Sequence, residues 1–345
     1  MVNKSVIVFD IGGTYFRFNV VNEDLELMED VSENKIKSPN FQLHPDFSGD
    51  KLVSTLINEI IKTIDIIKKK YLNFEIDGIG ISFPGPVDFK GKVRSAPPIW
   101  GDLVKDYPLK KKLESILPHK VFVLNDVSAS CWYYKNKFED KRFCVITVST
   151  GIGNKIFDIK HQDKIITQPD GLGGEIGHAS IECEEFDLIC DCGFKNHLSA
   201  IASGRGTERY AKIYSKKNKK EFSNSILATM TKGDPDNLDS FILIQAFKKG
   251  DQFARDIIKN TSRYMSLMIQ QINMTIGVEK FIIIGGYALS FGEDYRKILL
   301  SNIHEMGIWG LEKNSIDNLI VLGENNDKVN LIGVGEYVFY NLHNE

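Results

Sequence analysis

Apolar and polar positions divide the chain into short buried runs and longer amphipathic ones. "SVIVFD", residues 5 to 10, is an apolar run closed by an acid. "IGGT" then turns the chain and "FRFNVVN" alternates, so residues 5 to 22 predict a hairpin. A third strand is expected near residues 25 to 31. Residues 50 to 71, "DKLVSTLINEIIKTIDIIKKKY", carry apolar positions at helical spacing, open on an acid and close on lysines, as the helix dipole favours. "IDGIGISF" and "VFVLND" read as strands, and helices are expected over 108 to 117 and 127 to 135.

The pattern then restarts. "RFCVITVST", residues 142 to 150, is a strand, "GIGN" a glycine turn and "KIFDI" a returning strand. Helices dominate residues 198 to 276, followed by the strand "KFIIIGG", a helix over 293 to 305, the strand "NLIVLG" and a final helix through "VNLIGVGEYVFY". Strand, glycine turn, strand thus occurs twice, at 5 to 22 and at 142 to 159. That reads as two similar half-chains rather than a short-period repeat, although glycine turns after strands are common in any α/β protein.

Composition narrows the class. At 345 residues there is room for two domains, and 42% hydrophobic with 26% charged residues describes a globular chain rather than a disordered or fibrous one. A net charge of -3 gives no sign of a nucleic-acid or membrane partner, and the "KKNKK" run at 216 to 220 reads as a solvated helix end. Neither a secretory signal nor an apolar run of spanning length is visible, and five cysteines in so long a chain are no disulfide scaffold. A cytoplasmic location is expected.

Candidate chemistry begins at "DIGGT". Gly12 and Gly13 let backbone N–H groups approach a phosphate, Thr14 adds a hydroxyl, and Asp10 at the strand end can hold Mg²⁺ directly or through water. The alternative is a structural turn beside a surface acid. "STGIGN" repeats these elements with Ser149, Thr150, Gly151 and Gly153, which suggests a nucleotide clamped between two domains. In "IIIGG", Gly285 and Gly286 offer bare backbone to a flat adenine. There is no G-x-x-x-x-G-K-[ST] loop, and "GLGGEIG" has Ile176 where the dinucleotide fingerprint needs its last glycine. "CDCGFKNH" sets Cys190 and Cys192 one residue apart, with a histidine five positions further on. A disulfide between them would close a strained small ring.

Taken in order, "DIGGTYFRF", "GISFPGPVD", "LNDVSAS", "STGIGN", "GLGGEIGHASI", "CDCGFKNH", "ASG" and "IIIGG" resemble the sugar kinases of the ROK family (repressors, open reading frames, kinases) within the actin–hexokinase superfamily. The resemblance spans nearly the whole chain. It implies an α/β fold of two ribonuclease-H-like (actin-like ATPase) domains flanking a cleft. The expected division is an N-terminal lobe at 1–136 and a C-terminal lobe at 137–345, whose last helix is able to pack back on the first lobe. It also implies that Asn125 and Asp126 bind the sugar, with Asp126 the general base, and that Glu175 and His178 take sugar hydroxyls. A hydroxyl attacking the γ-phosphate must lose a proton, and an acid at a strand end can accept it. An acid at that place also suits a helix N-cap, and the two roles are compatible.

The family's zinc motif is a histidine followed by C-x-C-G-x-x-G-C. Here His178, Cys190 and Cys192 match, while His197 stands at the last cysteine and Asn196 at the preceding glycine. Cys₂His₂ suits tetrahedral Zn²⁺ as well as Cys₃His does; merely packed cysteines, or recruitment of Cys183, are the alternatives. Other departures touch the substrate. Ser199 stands where the family usually has a sugar-binding Glu, Pro98 where Asn is frequent, and Asn154 and Lys155 where small glycines are usual.

The resemblance implies a homodimeric ATP- and Mg²⁺-dependent kinase acting on the primary hydroxyl of glucose or a close relative. The alternatives are an amino or N-acyl hexose as substrate, or a catalytically weak sugar-binding regulator. A DNA-binding repressor is not expected, because "DIGGT" begins at residue 10 and the chain is mildly acidic.

Overall fold

The computed structural model describes residues 4–30, 34–71, 75–138, 141–183 and 188–344. The chain forms two compact units. Unit 1 comprises 1–139, 161–173 and 326–345, and unit 2 comprises 140–160 and 174–325. Among the described residues no helix is long and apolar enough to cross a membrane.

Unit 1 is built on β1 (Lys4–Ile11), β2 (Tyr15–Asn22), β3 (Lys35–Lys37), β4 (Glu75–Phe83) and β5 (Lys120–Asn125), in the order β3–β2–β1–β4–β5. β1 and β2 are antiparallel, whereas β1, β4 and β5 run parallel. The third strand therefore lies later than the 25–31 expected from the sequence. Leu25 adopts φ 62° in a turn closed by its N–H to the Asn22 carbonyl, and Leu27 makes only an isolated bridge to Val21. Register sets Asp10 opposite Arg17 and Ser82, and Phe83 opposite Asn125. This gathers those side chains at the carboxyl end of the parallel strands, where open α/β sheets bind ligands.

Strand β1 is buried on both faces. Ile7, Phe9 and Ile11 share a core with Leu52, Leu56, Ile60 and Ile64 of α1 (Gly49–Lys70). Ser48 caps α1 and Lys68, Lys69 and Lys70 close it, as the sequence pattern predicts. The last helix of unit 1, which we number after those below, approaches too closely for larger side chains. A Cβ on Gly80 of β4 would lie 2.8 Å from Val338, and one on Gly333 would lie 1.9 Å from the Ala129 carbonyl. The first helix after β5 is α2 (Asp126–Lys135).

Unit 2 contains β6 (Phe143–Val148), β7 (Ile152–Phe157), β8 (Lys280–Ile284) and β9 (Ile320–Leu322), ordered β7–β6–β8–β9. β6–β7 is antiparallel and β6–β8–β9 parallel, the arrangement of β2–β1–β4–β5 over again. The glycine turn is shorter than "GIGN" suggests, because Gly153 and Asn154 already lie in β7, paired with Thr147 and Ile146. The helices that matter for the site are α3 (Leu198–Ala202), α4 (Gly204–Lys217) and α5 (Gln252–Ile276). α5 is capped by Asp251 and ends at Gly277 in the left-handed region. The final helix, α6 (Lys328–Asn344), belongs to unit 1.

Candidate functional site

In unit 1 the "DIGGT" turn is held from outside the motif. Gly12 N–H donates to the Tyr15 carbonyl at 2.9 Å and closes the hairpin. Ser38 Oγ donates to the Gly12 carbonyl and Asn40 Nδ2 to the Gly13 carbonyl, both at 2.5 Å. Thr14 is exposed at the tip. Asp10 is buried at the strand end. Its Oδ1 accepts from Ser82 Oγ at 2.8 Å and from Asn330 Nδ2 at 3.1 Å, while Arg17 lies 3.8 Å from Oδ2. Burial pushes the Asp10 carboxyl above its ordinary value; the Ser82 and Asn330 hydrogen bonds and the Arg17 charge pull it down. Arg17, an isolated charge in an apolar strand by sequence, also pairs with Asp327 at 2.8 Å. A lone carboxylate with its Oδ1 fixed by two donors suits a Mg²⁺ site held mostly through water.

Asn125 and Asp126 stand where β5 passes into α2. The cap is Asn125, whose Oδ1 accepts from the N–H groups of Val127 at 3.0 Å and Ser128 at 3.2 Å. Its Nδ2 donates to the Gly85 carbonyl at 3.0 Å and to Asp126 Oδ1 at 2.8 Å. Asp126 Oδ1 also accepts its neighbour's N–H from Val127 at 2.9 Å. Asp126 is therefore the first helical residue, and its half-buried carboxylate is oriented by the capping residue.

In unit 2 the second turn is open. Gly151 has nothing within 4 Å of where a Cβ would stand, and a Cβ on Gly153 would make only ordinary contact with Thr147. Thr150 and Gly151 are exposed. Gly285 has φ 99°, and a Cβ there would lie 2.5 Å from the Val148 backbone, so only glycine fits. Gly286 beside it is exposed, with open space next to its backbone. Such bare backbone suits a phosphate at Gly151 and a flat base at Gly286.

Glu175 and His178 share one tight turn. Ile176–His178 is a 3₁₀ helix, and the His178 N–H donates to the Glu175 carbonyl at 2.9 Å. Asn154 fixes this turn to β7: its N–H donates to the Gly174 carbonyl at 2.9 Å, and its Oδ1 accepts from the Ile176 N–H at 3.3 Å. Lys155 is buried, its ammonium against Gly174. Burial raises the Glu175 carboxyl and the Lys155 charge lowers it. Ser199 Oγ accepts from the Ile152 N–H at 3.2 Å, so that hydroxyl braces the hairpin.

His178, Cys190, Cys192 and His197 come together, with one ligand atom from each within 4.8 Å of the others. Cys192 Sγ lies 3.1 Å and His178 Nδ1 3.4 Å from His197 Nδ1, and Cys190 Sγ lies 3.9 Å from His178 Nδ1. Tetrahedral zinc with these donors sets its ligands about 3.3–3.8 Å apart, so the cluster fits the metal with little adjustment. Backbone bonds close the turn: Gly193 N–H donates to the Cys190 carbonyl and Cys190 N–H to the Phe194 carbonyl, each at 2.8 Å. Asp191 faces outward to Arg205 and Arg209 of α4. Cys183 is buried and stands outside this cluster.

The comparisons with known proteins agree with one another. A model of the ROK family matches residues 6–327. The C(7)-cyclitol 7-kinase of Streptomyces hygroscopicus subsp. limoneus is 29% identical over 331 residues, covering 96% of this chain and 93% of that protein. The glucokinase of Thermotoga maritima is 28% identical over 305 residues, 85% of each chain. The crystal structure of the ROK hexokinase from Thermus thermophilus superposes with a TM-score of 0.76 at 22% identity, over 99% of this chain and 100% of that one. This likeness shows the α/β fold of the ROK hexokinases, as the sequence motifs imply.

Proposed function

This chain belongs to the ROK family, and on that premise we propose that it is an ATP-dependent kinase that phosphorylates the primary hydroxyl of a hexose or hexose-like cyclic polyol. The observation that carries this reading is the junction of β5 and α2. Asn125 takes the cap and orients Asp126, which leaves a half-buried carboxylate at a strand end as general base. Asp126 withdraws the proton as the hydroxyl attacks the γ-phosphate in line. Asn125, Asp126, Glu175 and His178 hold the substrate's hydroxyls. The glycine turns Gly12–Gly13 and Thr150–Gly151–Gly153 take phosphates, assisted by Thr14, and Gly285–Gly286 takes the adenine. Asp10 holds Mg²⁺, which when bound neutralises charge on the phosphate oxygens. His178, Cys190, Cys192 and His197 hold a structural Zn²⁺ that stiffens the substrate turn.

Glucose-type hexoses are the first reading, from the motifs and the glucokinase relative. A carbocyclic polyol is the second, favoured by the relative named for a C(7)-cyclitol, whose similarity extends over 96% of the chain. Ser199 supports it too, because its oxygen accepts from the Ile152 N–H and offers a ring substituent no carboxylate.

ADP release with MgATP across glucose, mannose, glucosamine, N-acetylmannosamine and seven-carbon cyclitols tests both readings. Turnover on a hexose alone supports the first, and turnover on a cyclitol alone supports the second. Silence on every compound, with binding still visible by calorimetry, overturns the kinase in favour of a sugar-binding regulator.

A further inference from the structure

Asn330 is 320 residues from Asp10 in the chain, yet its side chain is bound at both ends inside unit 1. Nδ2 donates to Asp10 Oδ1 at 3.1 Å, and Oδ1 accepts from Ser130 Oγ at 2.8 Å. The Ser130 hydroxyl also lies 3.3 Å from the Asp126 carbonyl one turn earlier on α2, but its single proton serves the shorter contact. The amide can sit only one way round, since a carboxylate demands the NH₂ end and the serine supplies a proton to the carbonyl end. Ser82 provides the second donor to the same Asp10 oxygen at 2.8 Å. Arg17 approaches the other oxygen only to 3.8 Å, and its shorter pairing at 2.8 Å is with Asp327. One oxygen of Asp10 is thus clamped, which fixes the direction in which the carboxylate presents the other.

We propose that Asn330 is a positioning residue: it orients Asp10 and, through Ser130, ties that carboxylate to the helix that begins at Asp126. Residues that orient an ion's ligands typically carry about 10- to 100-fold in affinity or rate. The consequence for catalysis rests on the kinase reading above; the clamp itself does not.

Two measurements separate them. Asn330→Asp keeps the shape of the side chain but replaces the donor to Asp10 with an acceptor of like charge, and Asn330→Ala removes both contacts. Both should lower kcat about 10- to 100-fold and raise the half-saturating Mg²⁺ concentration, with the substrate KM within about twofold of wild type. Ser130→Ala should do the same more weakly. In the ligand-free protein labelled with ¹⁵N-asparagine, the Asn330 side-chain amide, assigned by its loss in Asn330→Ala, should be protected from exchange and shift in Asp10→Asn. Wild-type kcat and Mg²⁺ requirement in both Asn330 variants would overturn the proposal. So would a uniform loss of kcat, KM and melting temperature with no change in Mg²⁺ requirement. If the wild type releases no ADP on any polyol while the amide responds to Asp10→Asn, the kinase reading fails and the clamp stands. An amide that ignores Asp10→Asn sinks the clamp whatever the activity.

Discussion

The two units carry the same hairpin followed by the same parallel strands, but their turns are built differently. In unit 1 the turn is crowded and charged. A Cβ on Gly13 would meet Pro98 at 2.9 Å, Ser38 and Asn40 tie the turn's carbonyls, and Asp10, Arg17 and Asp327 lie beside it. In unit 2 the turn is open at Gly151, without a carboxylate at the end of β6; the Ser149 N–H closes it on the Gly151 carbonyl, and Ser199 of α3 braces it at the Ile152 N–H. One backbone plan therefore carries two kinds of turn. The crowded turn fixes charged groups, and the open turn presents bare amide backbone.

The largest effect is expected where unit 1 keeps its charge. Asp126→Asn should lower kcat by about 10²-fold or more while leaving the melting temperature and ATP binding unchanged; steady-state kinetics with normal turnover would remove the charge-bearing role from this unit. Next comes the cysteine–histidine cluster of unit 2. Cys192→Ser should lose about one equivalent of zinc by elemental analysis and raise the substrate KM, because one of four tetrahedral ligands is gone. Unchanged metal content would mean that the turn stands without a metal, on its hydrogen bonds and the Asp191 ion pairs.

A paired substitution tests the turns directly. Gly13→Ala should destabilise the protein by about 1–3 kcal/mol in chemical denaturation, because its Cβ has to displace Pro98. Gly151→Ala should leave stability unchanged and weaken ATP binding, measured by calorimetry. Equal stability costs would erase the distinction between crowded and open turns. The smallest effect is expected from Asn154→Ala, which removes the side-chain bonds to the Ile176 N–H and the Cys144 sulfur but keeps the backbone bond to Gly174. A loss of about 1 kcal/mol is expected, with a modest rise in substrate KM and kcat retained. A fall in kcat at constant KM would place Asn154 in the chemistry rather than in the bracing.

Much of this was legible in the chain because it is local. The run "SVIVFD" before "IGGT" is a strand and turn by its own composition, and Cys190, Cys192 and His197 lie within one short loop. His178 required only that the turn at Ile176 bring it across. The groups that were not legible are those whose partners lie far away in sequence. Ser38 and Asn40 sit in a segment without periodicity, yet they hold the "DIGGT" carbonyls. Arg17 reads as a solvent-facing charge until Asp10 and Asp327 are set beside it. Asn330 reads as a polar residue near the start of an amphipathic helix. The misplaced third strand has a different cause: the turn at Leu25 rests on Asn22 and Glu26, four residues apart, bonding across it, and apolar spacing alone does not reveal that.

The sequence by itself determined the class of fold, the two glycine-turn hairpins, the position of Asp126 and the composition of the cysteine–histidine cluster. The hairpins rest on residue types at short separation, where periodicity and backbone permissiveness act directly; the fold class, Asp126 and the cluster rest on the family resemblance that short motifs carry in order along the chain. Tertiary structure decided which end of each sheet is furnished, that α6 returns to unit 1, and that Asn330, Ser82 and Ser130 meet around Asp10. Those contacts depend on strand register and on glycine-permitted close packing of α6 at Gly80 and Gly333. Register and close packing are properties of the assembled unit, and no short stretch of the chain carries them.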